Sequence, residues 1–520
     1  MRRWGRSLEV SLLLATLLFL PHHIRLAAGE AGGSGVMVVY DSLGLGTPNE
    51  GNVESLLRLL GALGVPASIH SMDDEDVGLR ANRGLIVVRN APELEDSYSR
   101  FEASELARYD GRYLHVGFGM PETYADMLGL KIGMSMAEPA KLTIGPIRMA
   151  LLGAAGERLP YIAETYGHTF GRIAWLSTGR QTPFGAVNGT VATVPFFRAD
   201  AASELAMAYV LKDWMQLPGE GKPYLLYKDI YPFTNLDLLK GTADALYAAG
   251  IPFIYSVRPV YANTDYPAMH RYLEALRVVQ ARNGAIFADA PNVSQVAGIQ
   301  SENLAEKTEL FLNVLGEAGV VPLGMGVSAE LYWQAASGIS NEGLLPFDTL
   351  VLYPPGRTAG LLRPERPAPR LFDSSMLAVR WSELGPYWEA GRRYPLPVDV
   401  AFVTEFYESE QEMKTAIQKL QDSWIPFADY KGGTHETLTS NHRMASKGGI
   451  LSIDGEQVVF SRSEEVVNPD YDYRDEAPRS FERLFTVQNY IYLAIIGLSL
   501  VLFGVVLLVG YRIYKRKFMK

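Results

Sequence analysis

The sequence predicts an α/β protein: an N-terminal flavodoxin-like α/β domain, then a (β/α) barrel, then a C-terminal transmembrane helix. Three observations predict it. Short apolar, β-branched runs alternate with amphipathic stretches along most of the chain, the pattern of βαβ units around a mostly parallel sheet. In the second half these runs recur at the spacing of a barrel of seven or eight strands. Tyr490 to Tyr511 carries no charged side chain, and ~20 such residues cross the apolar core of a bilayer.

The two ends set the expected compartment. Arg2, Arg3 and Arg6 precede an apolar stretch, Val10 to Leu20, and small residues at Ala27, Ala28 and Gly29. That order predicts a signal peptide over 1–28. After the apolar segment at 490–511, the tail 512–520 holds Arg512, Lys515, Arg516, Lys517 and Lys520 and no acid. A basic tail is a cytoplasmic one, so the expectation is a single-pass cell-membrane protein with its bulk outside. The chain carries a formal charge of −10; without the +3 of residues 1–28 and the +5 of the tail, about −18 remains. That charge excludes a nucleic-acid partner, which needs a basic surface. With no cysteine at all, thiolate catalysis and Cys-ligated metals are excluded, and the lack of disulfides fits a bacterial surface protein.

Between these ends the elements follow in order. The first domain is expected over 34–200. Its strands begin with Val36 to Tyr40, then Val65 to His70, 85–90 (LIVVRN) and 113–119 (YLHVGFG), with a helix over Val53 to Leu63. Residues 136–200 are richer in β signals and form an extension. Ala201 to Met215 reads as a connecting helix. The barrel is expected over 220–462, with strands at 223–228, 251–257, 285–288, 320–325, 349–353, 376–380, 398–403 and 425–429. Helices fit Asp265 to Arg282, Glu302 to Ala318 and Ser409 to Ser423. The Pro-rich stretch 354–370 reads as an exposed loop, and the acidic, polar stretch 463–489 as a juxtamembrane stalk.

In parallel barrels the chemistry gathers at the C-terminal ends of the strands. Here those ends are Lys228-Asp229, Arg258, Asp289, Tyr353 and Glu405. First and last strands are neighbours in a closed barrel, which sets Asp229 against Glu405. Asp229, Arg258, Asp289 and Glu405 are therefore expected to converge in one cleft with an exposed aromatic nearby. Arg and carboxylates together supply the donors and acceptors that sugar hydroxyls require. Trp333, Trp381 and Trp388 are candidate stacking surfaces for a sugar ring. A plainer reading of the charged pair has Lys228 pointing outward and Asp229 capping the turn "DIYPFTN". The loop Gly44-Leu-Gly46-Thr-Pro lacks the full G-x-G-x-x-G spacing and reads as a tight βα turn.

The stretches "YLLYKDIYPF" and "LYAAGIPFIYSVRPVY" resemble the first β/α/β unit of the polysaccharide deacetylases. More closely, they resemble a divergent, membrane-anchored bacterial branch of that superfamily, some of it associated with exopolysaccharide gene clusters. The resemblance covers about residues 220–450 and is strongest at Tyr227-Lys228-Asp229 and Gly250-Ile251-Pro252-Phe253. It implies a deacetylase-like barrel acting on or binding a cell-surface or secreted polysaccharide, with polysaccharide synthase components as possible partners. The departures concern the metal. The family opens with an Asp-Asp pair, general base then metal ligand; Lys228 stands in the first place. Two metal-binding His are expected after the third strand, where this chain reads "AIFADAPNV". No metal or cofactor is therefore expected, and an ammonium from Lys228 is a candidate for the missing cation's place.

The resulting expectation is a polysaccharide deacetylase-like protein with a degenerate metal site. Asp229 and Glu405 are its candidate catalytic residues, and Lys228, Arg258, Asp289 and Trp333 its candidate substrate-binding residues. Two alternatives stand beside it. One is a non-catalytic scaffold or carbohydrate-binding subunit of a synthase complex. The other is a glycoside hydrolase using Asp229 and Glu405 as its carboxylate pair.

Overall fold

The computed structural model describes residues 35–460, apart from 75–78, 80–82, 137, 153–157, 261–263, 291–301, 337–343, 345 and 355–373. The expected signal peptide, stalk, membrane span at 490–511 and basic tail lie outside the described residues, as does nearly all of the 354–370 loop. Among the described residues no helix is long and apolar enough to cross a membrane. The longest, Glu302–Glu317, has 16 residues and mixes charged with apolar side chains. The expected fold is corrected accordingly. The structure is a mixed α/β architecture with a closed seven-stranded parallel barrel, and no described element spans a bilayer.

The chain opens with β1 (Val36–Tyr40), α1 (Asn52–Ala62), β2 (Ala67–Ser71), β3 (Gly84–Arg89) and β4 (Arg112–Gly117). With β5 (Val191–Val194) they form a parallel core in the order β2-β1-β3-β4-β5. Two antiparallel strands, Gly185–Asn188 and His168–Phe170, extend this sheet beyond β5. A separate four-stranded antiparallel sheet and a two-stranded ribbon account for the β signals of the 136–200 region. The loop after β1 is held by short-range bonds: Gly44 N–H donates to Ser42 Oγ and Gly46 N–H to Glu50.

The helix α1 is buried on both sides, with only Glu54 of its eleven residues partly exposed. Its polar residues Asn52, Ser55 and Arg58 are buried along with the apolar ones, so neighbours cover it on both faces. One side covers the first sheet, and the other lies on the barrel. There Arg58, 2% exposed, donates to the carbonyls of Leu352 at 3.2 Å and Ala378 at 2.7 Å. Its charge is met by Glu204 of α2 (Ala201–Met215). Gly61 allows close approach, since a Cβ there would sit 2.9 Å from the Tyr332 ring.

The barrel strands are β6 (Pro223–Ile230), β7 (Ile254–Val257), β8 (Ala285–Asp289), β9 (Pro322–Ser328), β10 (Thr349–Tyr353), β11 (Ser374–Arg380) and β12 (Asp399–Glu405). They run in chain order and close on themselves. The expected eighth strand at 425–429 is not one. Pro223 to Lys228 of β6 pair directly with Val400 to Glu405 of β12, which leaves no gap to fill. The apolar residues that imitated a strand instead plug the N-terminal end. Ala428 N–H donates to the Pro223 carbonyl at 2.8 Å, Phe427 is buried, and Tyr430 packs edge-on against Tyr224 and Phe287. An antiparallel sheet of four short strands within Thr434–Gln457 follows, and Thr437 Oγ1 donates to the Pro322 carbonyl at 2.7 Å.

Candidate functional site

The site begins with an irregularity in β6. Its register with β7 is regular to Tyr227, shifts, and resumes at Ile230. The two residues inside this bulge are Lys228 and Asp229. Asp229 has φ 61°, the left-handed region. Asp is among the few residues that visit this conformation at modest cost. A bulge beside a strand end re-aims side chains, and here it turns Asp229 onto Arg258, at the end of β7. Arg258 Nε donates to Asp229 Oδ1 at 2.6 Å, and Nη2 approaches the same oxygen at 2.5 Å. Asp229 does not cap the turn that follows. That turn is closed by Thr234, whose Oγ1 accepts from Tyr231 N–H at 3.0 Å, and the next helix is capped by Asn235.

Arg258 also faces Asp289, the last residue of β8, with Nε 3.4 Å from Oδ2. The guanidinium therefore lies between two carboxylates. Asp289 is 1% exposed. Its Oδ1 accepts from Ser256 Oγ at 2.6 Å and from Tyr353 OH at 3.1 Å. Burial raises the Asp289 carboxyl above the usual carboxylate range, while the Ser256 bond and the charges of Arg258 and Lys228 pull it back. For Arg258, burial disfavours the charge, but Asp289 and Asp229 outweigh it and the net shift is upward. Burial pushes the Tyr353 hydroxyl far up, so it stays a donor at neutral pH.

Lys228 is not the cation between the carboxylates. Its Nζ sits 4.0 Å from the centroid of the Tyr353 ring, a cation–π contact. Glu405 is its register partner on β12 and is exposed. Beyond the bulge, Tyr231 and Phe233 stack face to face, ring centroids 4.7 Å apart and 17° from coplanar. Phe233 is 82% exposed. The Tyr231–Thr234 turn holds the pair in place, so it presents a preformed flat apolar surface next to the ion network.

The structure thus brings Lys228, Asp229, Arg258 and Asp289 together and sets Glu405 at the same strand-end level, outside the network. Trp333 is elsewhere in kind: it is 3% exposed and packs edge-on against Tyr332. Trp388 is buried and Trp381 half-buried, both against Phe402. The sequence reading missed three contributors, Ser256, Tyr231 and Phe233. Ser256 lies inside β7, where a strand-end search does not look, and Tyr353 was found by that search only as the terminus of an apolar run. Tyr231 and Phe233 follow β6 in a turn marked by Pro232, the one signal that would have placed them.

The donors do not fit the metal that the resemblance implies. A His/carboxylate site needs about three protein ligands and an open position. Here the space between Asp229 and Asp289 is taken by a guanidinium that both carboxylates hold. Among the described residues no group of three or more His, Cys, Asp or Glu is placed to bind an ion. The segment 290–301 adds no His, Asp or Glu.

No family model matches the chain, and no curated protein matches it. Among solved structures it is similar to a T48 deacetylase with substrate, at 14% identity and TM-score 0.23, over 39% of this chain and 85% of that one. It is also similar to a mutant CE4-family pseudoenzyme with restored enzymatic activity, at 10% identity and TM-score 0.21, over 39% of this chain and 64% of that one. A beta-arabinopyranosidase is similar at 11% identity and TM-score 0.26, over 60% of each chain. Likeness at these values carries no argument about activity.

Proposed function

We propose that the barrel mouth binds a cell-surface or secreted polysaccharide and does not carry out metal-dependent deacetylation. The observation that carries this reading is the Arg258 guanidinium between Asp229 and Asp289, beside the exposed Tyr231–Phe233 stack. The network fixes Asp229 through Oδ1 alone. Its Oδ2 has no hydrogen-bond partner among the described residues, and the side chain is 36% exposed. That oxygen is an acceptor for a sugar hydroxyl. Phe233 offers the apolar face on which a pyranose ring packs. An acceptor at fixed geometry beside a flat aromatic is the minimal equipment of a carbohydrate subsite. The resemblance of Tyr227-Lys228-Asp229 to the polysaccharide deacetylases supplies the ligand class.

The test is equilibrium binding of the purified protein to a panel of acetylated and unacetylated oligosaccharides. The expected result is binding that Asp229→Asn weakens about tenfold, the scale of one lost charged hydrogen bond, and that Phe233→Ala weakens by removing the apolar face. Asn tolerates the left-handed backbone and Arg258 keeps Asp289, so a melting temperature that stays high enough to leave the variant folded at the assay temperature is the control. Affinity unchanged in both variants would remove the mouth as the binding site. Release of reducing ends, lost in Asp229→Asn and in Glu405→Gln, would instead establish glycoside hydrolysis.

A further inference from the structure

The two cations of the mouth are placed differently. Arg258 is held by two carboxylates. Lys228, in the same mouth, is not. No carboxylate lies within 4.0 Å of its Nζ and no hydrogen-bond acceptor meets it among the described residues. Among the described residues, the contact that positions it is the face of the Tyr353 ring. An ammonium has three donors, and a ring face satisfies none of them as an oxygen would. Its side chain is half-buried, so its charge is less screened than that of a surface lysine. The Tyr353 hydroxyl, turned to Asp289, is not available to it.

We propose that Lys228 makes the mouth selective for glycans bearing a singly charged acidic sugar, a uronate or a sulfate ester. This rests on the polysaccharide-binding reading above. The charge balance sets the valence. Among the described residues at this end, Lys228 and Arg258 lie with Asp229, Asp289 and the exposed Glu405, and Arg380 pairs with Glu383, so the described acids exceed the bases by one. A monoanion at Nζ is met by one unpaired ammonium; a dianionic phosphate would meet the same ammonium and stronger repulsion from the three carboxylates. Glu405 opposes the ligand's charge without pairing with Lys228, which makes it the counterweight in this selection.

The experiment uses three oligosaccharides of one length with the intact protein: oligogalacturonate, the same oligomer with its carboxyls reduced, and a monosulfated galacto-oligosaccharide. The expected result is at least about fivefold tighter binding of one or both acidic oligomers than of the neutral one, fading with added salt. Lys228→Met should abolish this preference. Lys228→Arg should keep it, and Glu405→Gln should enlarge it. Equal affinity for acidic and neutral oligomers overturns the proposal and leaves polysaccharide binding standing. A Lys228→Met variant that melts like the parent but loses neutral binding equally overturns it too, since Lys228 would then serve the mouth generally. Failure of all three to bind, with no other glycan bound either, overturns the underlying reading as well.

Discussion

Arg258 shows how a single side chain sets the character of the mouth. It neutralises Asp289, which is buried, and fixes Asp229, which is strained and partly exposed. Removing one partner of a buried ion pair leaves the other charge uncompensated and costs about 3–5 kcal/mol. Arg258→Ala is therefore expected to lower stability to urea by about 3 kcal/mol. Adding Asp289→Asn should recover much of that loss, because the amide keeps acceptors for Ser256 and Tyr353 without a charge. A double variant no more stable than Arg258→Ala would show that Asp289 is not the origin of the cost. Lys431 gives a second residue-scale prediction. It is 3% exposed, its Nζ donates to Asn283 Oδ1 at 2.7 Å, and burial lowers its pKa to about 8. The unfolded chain holds this proton up to about pH 10.4, so between those values the unfolded state binds more protons. Stability should then rise with pH from about 8 towards 10, by up to about 3 kcal/mol in total. Above pH 10 the buried tyrosines oppose it: Tyr227, Tyr255, Tyr272 and Tyr353 have raised pKa values, so unfolding releases their protons. Urea titrations at pH 7.5, 8.5 and 9.5 check this, and Lys431→Met should show no such rise. At this scale Arg258, Asp229 and Asp289 were legible as charges ending apolar runs. The left-handed turn at Asp229 was not, because a bulge comes from a register shift between two strands.

Among elements, α1 carries the longest-range consequence. It is a helix of the first sheet and a wall of the barrel at once. Arg58 satisfies two carbonyls of β10 and β11 and meets Glu204 of α2, all in the interior. Arg58→Met should cost about 3–5 kcal/mol, since Glu204 would be buried unpaired. Arg58→Met with Glu204→Gln should recover part of it. A loss below about 1 kcal/mol in the single variant would mean that the two halves do not depend on this contact. This contact was not legible in the sequence, because Arg58 sits among Val53, Leu56, Leu57, Leu59 and Leu60 at a spacing that marks an amphipathic helix with an exposed face for charges. The same limit explains the supposed eighth strand. Ile425 and Phe427 are apolar and closely spaced, as in a strand, but apolar spacing reports burial and not hydrogen-bond partners. The strands β6 to β12 were legible because both faces of a parallel barrel strand are covered, which leaves near-continuous apolar runs. The short antiparallel strands after 434 carry no such run.

Across the whole molecule, one apolar core runs from Val36 and Leu56 through Trp214 to Phe287 and Phe402. A second cluster, around Val39, Val87 and Tyr113, fills the opposite face of the first sheet. The core fixes the barrel, the barrel sets its strand ends at one level, and the ion network at that level takes the place a metal would need. The central claim is thus that the mouth holds a glycan by its own charges. Its most direct test is a binding isotherm of the purified protein on an acetylated polysaccharide, run in EDTA and again in zinc, with free acetate measured in both. The account predicts the same affinity in each and no acetate above the protein-free blank. Zinc-dependent acetate release that disappears in Asp229→Ala would contradict it.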